Sequence, residues 1–353
     1  MNDYKNPIVV EDIENIISTA DGWNYFSGKT ILVIGANGFV ASYIVYTLLE
    51  LNNKGILDKK LTVLALVRNS QRAQDKFGEL LNNPNFKLIV ADVSDANIQQ
   101  NNIDIIIHAA SQASPKYYGK DPVGTLKANT IGTFNMLEMA VKHNTEKFIY
   151  ISSGEVYGVL DGSVPKVTEE YTGNVNITDV RSCYAESKRM GENMCVCYSH
   201  QYGLHTNMLR LSHTYGPGLS LDDGRVFADF TNCVVNNRNI TLNSDGSAKR
   251  SFVYISDMIS ALFKIMLHAP SGQAYNIAAD KQTSILELAK TICELYPEKN
   301  LSVDFAPNTD KNYIRSQSTS AELCADKLKK LGWQQTIFVK QGFKRMIDSY
   351  LIK

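Results

Sequence analysis

The sequence predicts an α/β fold, a doubly wound parallel sheet with a smaller, interleaved C-terminal lobe. Short apolar runs rich in β-branched residues alternate with segments of helical periodicity from residue 30 onward, which is typical of a parallel sheet covered by helices on both faces. The first run is followed at once by a glycine-rich turn and a helical pattern, the order of a βαβ unit. The length of 353 residues exceeds that of most single-core domains and favours two lobes.

Five strands and the helices around them are predicted in chain order. A short helix over 11–20 precedes the first strand, and Trp23 and Phe26 are expected to pack this extension against the body. The predicted strands are 30–34, 61–67, 86–90, 103–108 and 147–152. The other predicted helices are 39–51, 125–143, 184–202 and 255–268, with a last helix from residue 340. Beyond about residue 205 the alternation loosens, which favours a second lobe that shares strands with the first.

Charge and cysteine usage exclude several kinds of partner and site. Lysine and arginine total 36 and so do aspartate and glutamate, so there is no basic surplus for nucleic acid or an anionic membrane. The longest apolar runs, such as 103–110, are too short to span a bilayer. The six cysteines lack paired C-x-x-C spacing, and no basic segment followed by an apolar run opens the chain. We therefore expect no metal site, reduced thiols and a cytoplasmic location.

A dinucleotide site of the Rossmann type is predicted at the end of the first strand. Gly35, Gly38 and Ala41 occupy the strand-to-helix turn, where small residues let the backbone and the helix N-terminus approach a pyrophosphate. The second strand ends in Arg68 rather than in an acid, which favours NADP modestly over NAD, although a solvated Arg68 and bound NAD are also consistent with the sequence. The expected cofactor contacts are Gly35, Asn37, Gly38, Phe39, Val40, Arg68, Asp92, Val93, Ala109, Ala110, Asn129, Ser152, Tyr184 and Lys188.

Tyr184 and Lys188 form the candidate catalytic pair. Their spacing of four places both side chains on one face of a helix. A nearby ammonium stabilises a tyrosinate and can lower the pKa of the phenol enough for general-base catalysis. A chance pair of this spacing is common in a chain with 18 tyrosines, so its place after a strand that ends in Ser152 and Ser153 makes the pair informative.

Taken together, these residues resemble the extended short-chain dehydrogenases that modify nucleotide sugars, and the resemblance runs from about residue 28 to 350. Within that group the chain is most similar to the UDP-glucuronate decarboxylases. The segments that carry the resemblance are 125–133 (TLKANTIGT), 154–158 (GEVYG), 181–184 (RSCY) with Lys188 and Arg189, 215–217 (YGP), 223–226 (DGRV) and 250–257 (RSFVYISD).

The resemblance implies a reaction through a 4-keto sugar with a tightly held NAD or NADP. Tyr184 would remove the proton of the sugar C4 hydroxyl, Ser153 would hydrogen-bond the same oxygen, and Lys188 would hold the cofactor ribose and tune Tyr184. Gly154 occupies the position where dehydratases of the family carry an aspartic acid, and Glu155 follows it. Decarboxylation is therefore expected. The alternatives are C4 epimerisation, 4,6-dehydration, a solvated Glu155 without a role, and a cofactor-bound member without turnover.

The substrate side is assigned through the same resemblance. Arg225, Arg250 and Arg315 are expected to grip the diphosphate of a nucleotide sugar, since guanidinium suits phosphate oxygens. His213 replaces the asparagine usual at its position, and either alters sugar preference or packs there. The Arg-Lys-Pro-Asp segment that decarboxylases carry near the C-terminal Leu-Gly-Trp is absent. The complete expected substrate set is Lys116, Tyr117, His213, Arg225, Val226, Arg250 and Arg315.

The loosened alternation after about residue 205 suggests the domain boundaries, and the resemblance implies a dimer. The expected divisions are an extension over 1–27, a dinucleotide-binding domain over 28–205 with about 250–270, and a nucleotide-sugar lobe over 206–249 and 271–353. A homodimer is expected, with the helices over 125–143 and 184–202 forming a four-helix bundle across a two-fold axis. Met136, Met139, Met194 and Val196 serve this interface or the core.

Overall fold

The computed structural model describes residues 3–95, 98, 102–160, 164–306 and 321–352, with only the backbone at 3, 115 and 116. Its strands are β1 (Thr30–Ile34), β2 (Thr62–Val67), β3 (Phe86–Val90), β4 (Ile105–His108), β5 (Lys147–Ser153), β6 (Lys166–Val167), β7 (His205–Leu211), β8 (His213–Tyr215), β9 (Ile240–Leu242), β10 (Lys249–Tyr254), β11 (Gln273–Ile277), β12 (Gln282–Ser284), β13 (Val303–Phe305) and β14 (Glu322–Leu323). Its helices are α1 (Pro7–Thr19), α2 (Phe39–Asn53), α3 (Ser70–Phe77), α4 (Pro115–Tyr118), α5 (Pro122–Asn129), α6 (Ile131–Lys142), α7 (Ser182–Tyr202), α8 (Val226–Val235), α9 (Ile255–His268), α10 (Ile285–Leu295), α11 (Asp326–Lys329) and α12 (Val339–Leu351).

A seven-stranded parallel sheet forms the centre, in the order β11-β7-β5-β4-β1-β2-β3. The predicted α/β class is confirmed, and β1 and β3 have the predicted bounds. Strand order reverses between β1 and β4, where a crevice opens beyond the carboxyl ends of the strands. Along β1, Ile31 and Val33 enter the core on one face of the sheet while Leu32 and Ile34 enter the core on the other.

Two details differ from the predicted elements. The predicted helix over 125–143 is divided into α5 and α6 at Thr130, whose φ of −108° departs from helical geometry and whose hydroxyl donates to the Leu126 carbonyl at 2.7 Å. A threonine bonded to the preceding turn bends a helix in this way. In addition, β7 and β11 complete the main sheet, although most of both strands lies in segments expected to belong to the smaller lobe.

The smaller lobe consists of short sheets and helices on the open side of the crevice. Within the described residues its strands pair as β12-β10-β8, β13-β9 and β14-β6. Helices α8, α10 and α12 pack on one another beside these strands. None of the described helices is both long and apolar enough to cross a bilayer.

The N-terminal extension is joined to both parts of the molecule by a buried carboxylate. Asp12, on α1, is fully buried, and its Oδ2 accepts hydrogen bonds from Tyr43 on α2 (3.3 Å) and from Tyr254 on β10 (2.8 Å). Its Oδ1 accepts from Arg345 on α12 at 2.8 Å. Burial raises the pKa of Asp12 to about 6, and Arg345 opposes this shift. The extension therefore depends on Arg345 for its charge balance.

Replacing Arg345 with methionine is expected to destabilise the protein by about 3 kcal/mol, because removing one partner leaves a buried carboxylate uncompensated. Urea unfolding at pH 7.5 measures the change. The matched control is Asp12→Asn combined with Arg345→Met, which removes both charges and should recover at least half of the loss. A double variant no more stable than Arg345→Met would contradict the charge-pair explanation.

Candidate active site

A cleft of about 1300 Å³ lies between the carboxyl ends of the sheet strands and the smaller lobe, and all but three of the predicted site residues line it. The exceptions are Asn129, Lys116 and Arg315. Asn129 is fully buried, its amide donates to Ser187 Oγ at 2.9 Å, and its Oδ1 has no hydrogen-bond partner among the described residues. Its side chain lies in the contact between α5 and α7, and a direct cofactor contact stays a prediction. The Lys116 side chain and Arg315 lie outside the described residues.

The turn between β1 and α2 is shaped for a close-lying anionic group. Gly35 has φ +74°, and a Cβ there would lie 2.8 Å from Ala110 Cα on the neighbouring β4 loop, so only glycine fits. Gly38 is the N-cap of α2 and offers no side-chain cap to the first N–H groups of the helix. These N–H groups and the helix dipole face the cleft and fit a dinucleotide pyrophosphate.

Arg68 and Asp92 line the cleft directly after β2 and β3. Arg68 Nη1 lies 3.9 Å from Asp92 Oδ2, and 68% of the Arg68 side chain is exposed, so this ion pair is weak. The other carboxylate oxygen of Asp92 accepts from the backbone N–H and hydroxyl of Ser94, at 2.9 and 2.7 Å. Arg68 is thus available to a ligand.

Tyr184 and Lys188 lie side by side on α7, both buried. Lys188 Nζ donates to the Ile151 carbonyl at 2.7 Å and lies 5.9 Å from the centre of the Tyr184 ring. Burial lowers the pKa of Lys188 to about 7, and Glu192 opposes this shift. Burial raises the pKa of Tyr184 to about 12, while its hydrogen bond with Ser153 acts in the opposite direction. Burial therefore favours the neutral phenol form of Tyr184.

Glu155 lies in a short 3-10 turn (Gly154–Tyr157) directly after β5. Its backbone N–H donates to Ser153 Oγ at 3.2 Å, and its carboxylate lies 3.4 Å from Arg181 Nη2. A Cβ on Gly154 would lie 2.9 Å from Leu323 Cδ1, so any longer side chain would displace that leucine. Glu155 is the carboxylate that this turn presents to the cleft.

His213 is a neutral, packed side chain on the wall of the cleft. Its ring contacts those of Phe227 and Phe252, with centroids 6.3 and 5.8 Å away. Burial lowers the pKa of His213 to about 3, and the positive charges of Arg250 and Arg225 lower it further. These contacts favour the packing role of the two alternatives that the sequence left open.

Three further candidate functional residues were not predicted from the sequence. The Tyr118 ring stacks on that of Tyr184, with centroids 5.0 Å apart. Arg181 pairs with Glu155, as described above. Glu192 accepts from Ser152 Oγ at 2.5 Å and from Arg210 Nη2 at 2.7 Å. Glu192 also follows Lys188 by one helical turn, a spacing that would have indicated that these two charges lie close together.

His108, at the end of β4, is expected to make stability depend on pH. It is fully buried near Lys188, and burial lowers its pKa from 6.5 to about 3. Between these two values the unfolded chain binds a proton that the folded chain does not, so the free energy of unfolding falls as pH falls from 6.5 to 3. This histidine contributes at most about 1.4 kcal/mol per pH unit.

Urea unfolding of the wild type and of His108→Gln between pH 7 and 4.5 measures this contribution. The glutamine variant should show the shallower dependence, since every other titrating group is shared. Equal slopes for both proteins would show that His108 does not titrate differently on folding.

Comparisons with known proteins agree with this geometry. A family model described as the NAD dependent epimerase/dehydratase family matches residues 31–278. UDP-glucuronic acid decarboxylase 6 of Arabidopsis thaliana is 32% identical over 93% of this chain and 90% of its own length. UDP-glucuronic acid decarboxylase 1 of Danio rerio is 31% identical over 91% of this chain and 72% of its own length. The resemblance that the sequence motifs indicated is confirmed.

Solved structures share the fold. UDP-glucose 4-epimerase of Thermotoga maritima superposes with a TM-score of 0.76 at 23% identity, over 91% of this chain and 98% of its own. UDP-glucuronic acid 4-epimerase of Bacillus cereus also gives 0.76, at 22% identity, over 91% of this chain and 99% of its own. With the family model matched over 31–278 and curated relatives 32% identical across 93% of its length, this chain belongs to the NAD dependent epimerase/dehydratase family.

Proposed function

We propose that this protein decarboxylates UDP-glucuronate through a 4-keto intermediate with a nicotinamide dinucleotide. The observation that carries the proposal is the joint placement of Ser153, Tyr184 and Lys188 with Glu155 at one end of the cleft. The curated relatives named as UDP-glucuronic acid decarboxylases, 32% identical over 93% of the chain, support the choice of reaction.

The residues suit each proton transfer of this reaction. Tyr184 Oη takes the proton of the C4 hydroxyl, and Ser153 Oγ hydrogen-bonds the same oxygen. When bound, the nicotinamide accepts hydride from C4 and later returns it. The C4 ketone makes the uronate a β-keto acid: the bond between C5 and the carboxylate breaks, carbon dioxide leaves, and the electron pair passes to an enolate on the C4 oxygen. Glu155, whose side chain is exposed, takes a proton from solvent and delivers it to C5.

Dehydration across C5 and C6 is disfavoured by the turn after β5. That reaction needs an acid beside Glu155, and the preceding position is Gly154, where a longer side chain would displace Leu323. C4 epimerisation needs no such acid and uses the same Ser153, Tyr184 and Lys188. It is the alternative outcome of the product analysis described below.

We propose that Arg68 permits NADP as well as NAD. The family description names NAD, and the weak ion pair of Arg68 with Asp92 leaves the guanidinium available to a 2′-phosphate. Titration of the cofactor-free protein with both dinucleotides tests this role. Affinity for NADP within about tenfold of that for NAD, a difference of ~1.4 kcal/mol, supports it, and exclusive binding of NAD contradicts it.

We also propose the homodimer expected from the resemblance, with a different set of contacts. Met136 and Met139 are buried in the core and are not available to a partner. Exposed apolar side chains do occur on α5, α6 and α7, namely Leu126, Phe134, Met190 and Val196. Light scattering coupled to size exclusion tests this interface: the wild type should have the mass of two chains and Phe134→Glu the mass of one.

Product analysis tests the proposed reaction. Incubation with UDP-glucuronate and NAD should yield a UDP-pentose, or its 4-keto form with an equivalent of reduced cofactor, by proton NMR and mass spectrometry. Recovery of a hexuronate of unchanged mass with inverted C4 would replace decarboxylation by epimerisation. Loss of water without loss of carbon dioxide would assign a dehydratase.

A further inference from the structure

We propose that Arg181 binds the carboxylate on C5 of the sugar, and so determines that this enzyme accepts uronates in preference to neutral hexoses. The inference rests on the proposed function and deepens it, because it assigns the recognition of the group that is lost. Arg181 is a specificity-determining residue in this account.

Arg181 has the right place for this role. It precedes α7 as its N-cap residue, three positions before Tyr184, and it lines the cleft with a side chain only 12% exposed. Its guanidinium lies 6.0 Å from the centre of the Tyr118 ring, and that ring stacks on Tyr184. The guanidinium therefore lies beside a ring that stacks on the phenol proposed to act at C4. In a hexuronate the carboxylate is carried by C5, the neighbouring carbon.

The hydrogen bonds of Arg181 are incomplete. Its Nη1 is buried and has no hydrogen-bond partner among the described residues. Its Nη2 reaches Glu155 only at 3.4 Å, longer than a usual bond between guanidinium and carboxylate. Buried donors are normally satisfied, and an exception indicates a missing partner.

Arg210 shows how this chain satisfies a buried arginine that has a structural role. Its Nε and Nη2 donate to Glu192 at 3.0 and 2.7 Å, and its Nη1 donates to Tyr157 Oη and the Glu169 carbonyl at 2.8 and 2.9 Å. Every nitrogen of that guanidinium is used. The Nη1 of Arg181 thus differs from the fully bonded guanidinium of Arg210, and it can donate to a carboxylate oxygen of a ligand.

The surrounding charges also favour an anion. Glu155 pairs with Arg181 and is also close enough to Arg250 to favour the charged form of that guanidinium. Arg225 is neutralised by Asp223, which its Nη2 reaches at 3.0 Å. Arg225 thus already has a close carboxylate partner, whereas Arg181 has among the described residues only the 3.4 Å contact with Glu155. Arg225 and Arg250 are the candidates for the diphosphate, which leaves Arg181 for a negative charge on the sugar itself.

Binding of paired substrates to Arg181 variants tests the inference. UDP-glucuronate and UDP-glucose differ only at C6, which is a carboxylate in the first and a hydroxymethyl group in the second. A Tyr184→Phe background with bound NAD prevents turnover during calorimetric titration. Arg181→Gln should weaken UDP-glucuronate binding roughly 10- to 100-fold and UDP-glucose binding less than about threefold. Arg181→Lys, which keeps the charge, should recover part of the loss for UDP-glucuronate alone.

An equal loss for both ligands, or no loss for either, would overturn the assignment, since a purely structural arginine cannot distinguish the two sugars. Release of carbon dioxide from UDP-glucuronate by the wild-type protein is measured separately. Preference for the uronate that depends on Arg181 without release of carbon dioxide would refute the proposed decarboxylation and leave this inference standing. Release of carbon dioxide by the wild type, with an Arg181→Gln variant that binds both ligands normally, would refute this inference and leave the proposed decarboxylation standing.

Discussion

Replacing Tyr184 with phenylalanine is expected to lower kcat for UDP-glucuronate by about 1,000-fold, the contribution typical of a well-placed general base. The variant removes one oxygen from a buried ring that stacks on Tyr118, so the packing around it should persist. Because burial raises the pKa of this phenol to about 12, the wild-type reaction depends on the charges that the bound cofactor and Lys188 bring to it.

Steady-state kinetics together with the dinucleotide content of the purified protein measure this effect. Tyr25→Phe is the matched control, because that hydroxyl bonds Glu146 far from the cleft, and its kcat should stay within about twofold of the wild type. A Tyr184→Phe variant that keeps more than about a tenth of wild-type kcat would remove Tyr184 from the role of base.

Replacing Lys188 with methionine should lower kcat by about 100- to 1,000-fold and also weaken dinucleotide binding. The ammonium is almost fully buried, it is anchored on the Ile151 carbonyl, and it is the cation beside the Tyr184 ring. Methionine has nearly the same length, so the main loss is the charge that stabilises a tyrosinate. Unlike Tyr184→Phe, Lys188→Met should weaken dinucleotide binding and also slow hydride transfer.

Single-turnover formation of reduced cofactor, followed by absorbance, and fluorescence titration with the dinucleotide separate the two losses. Lys147→Met is the control, since Lys147 also donates to a carbonyl, that of Met266, but at the opposite end of β5. Its kcat should lie within about threefold of the wild type. Normal hydride transfer in Lys188→Met would contradict the assigned role.

The sheet could be predicted from sequence because its signals are local. The strands β1, β2 and β3 are apolar runs bounded by turn residues, and two of them have the predicted bounds. Gly35 after β1 was informative because only glycine allows the close approach to Ala110. The break at Thr130 was missed, since the side-chain bond to Leu126 that accompanies it is invisible to periodicity.

The site was predictable where a motif holds its residues together, and not where the fold brings them together. Tyr184 and Lys188 share one helix turn, but Tyr118 and Arg181 meet only when the loop after β4 folds onto the start of α7. Asn129 was assigned to the cofactor because of its motif, which did not indicate the hydrogen bond of its side chain to Ser187. Sequence spacing does not report which way such a side chain points.

Release of labelled carbon dioxide from UDP-glucuronate labelled at its carboxyl carbon is the most direct test of the account. The wild-type protein with NAD should release label in proportion to the pentose formed, and Tyr184→Phe should release almost none. Turnover of the substrate with complete retention of the label would contradict decarboxylation, and would leave the dinucleotide cleft with a different reaction at C4.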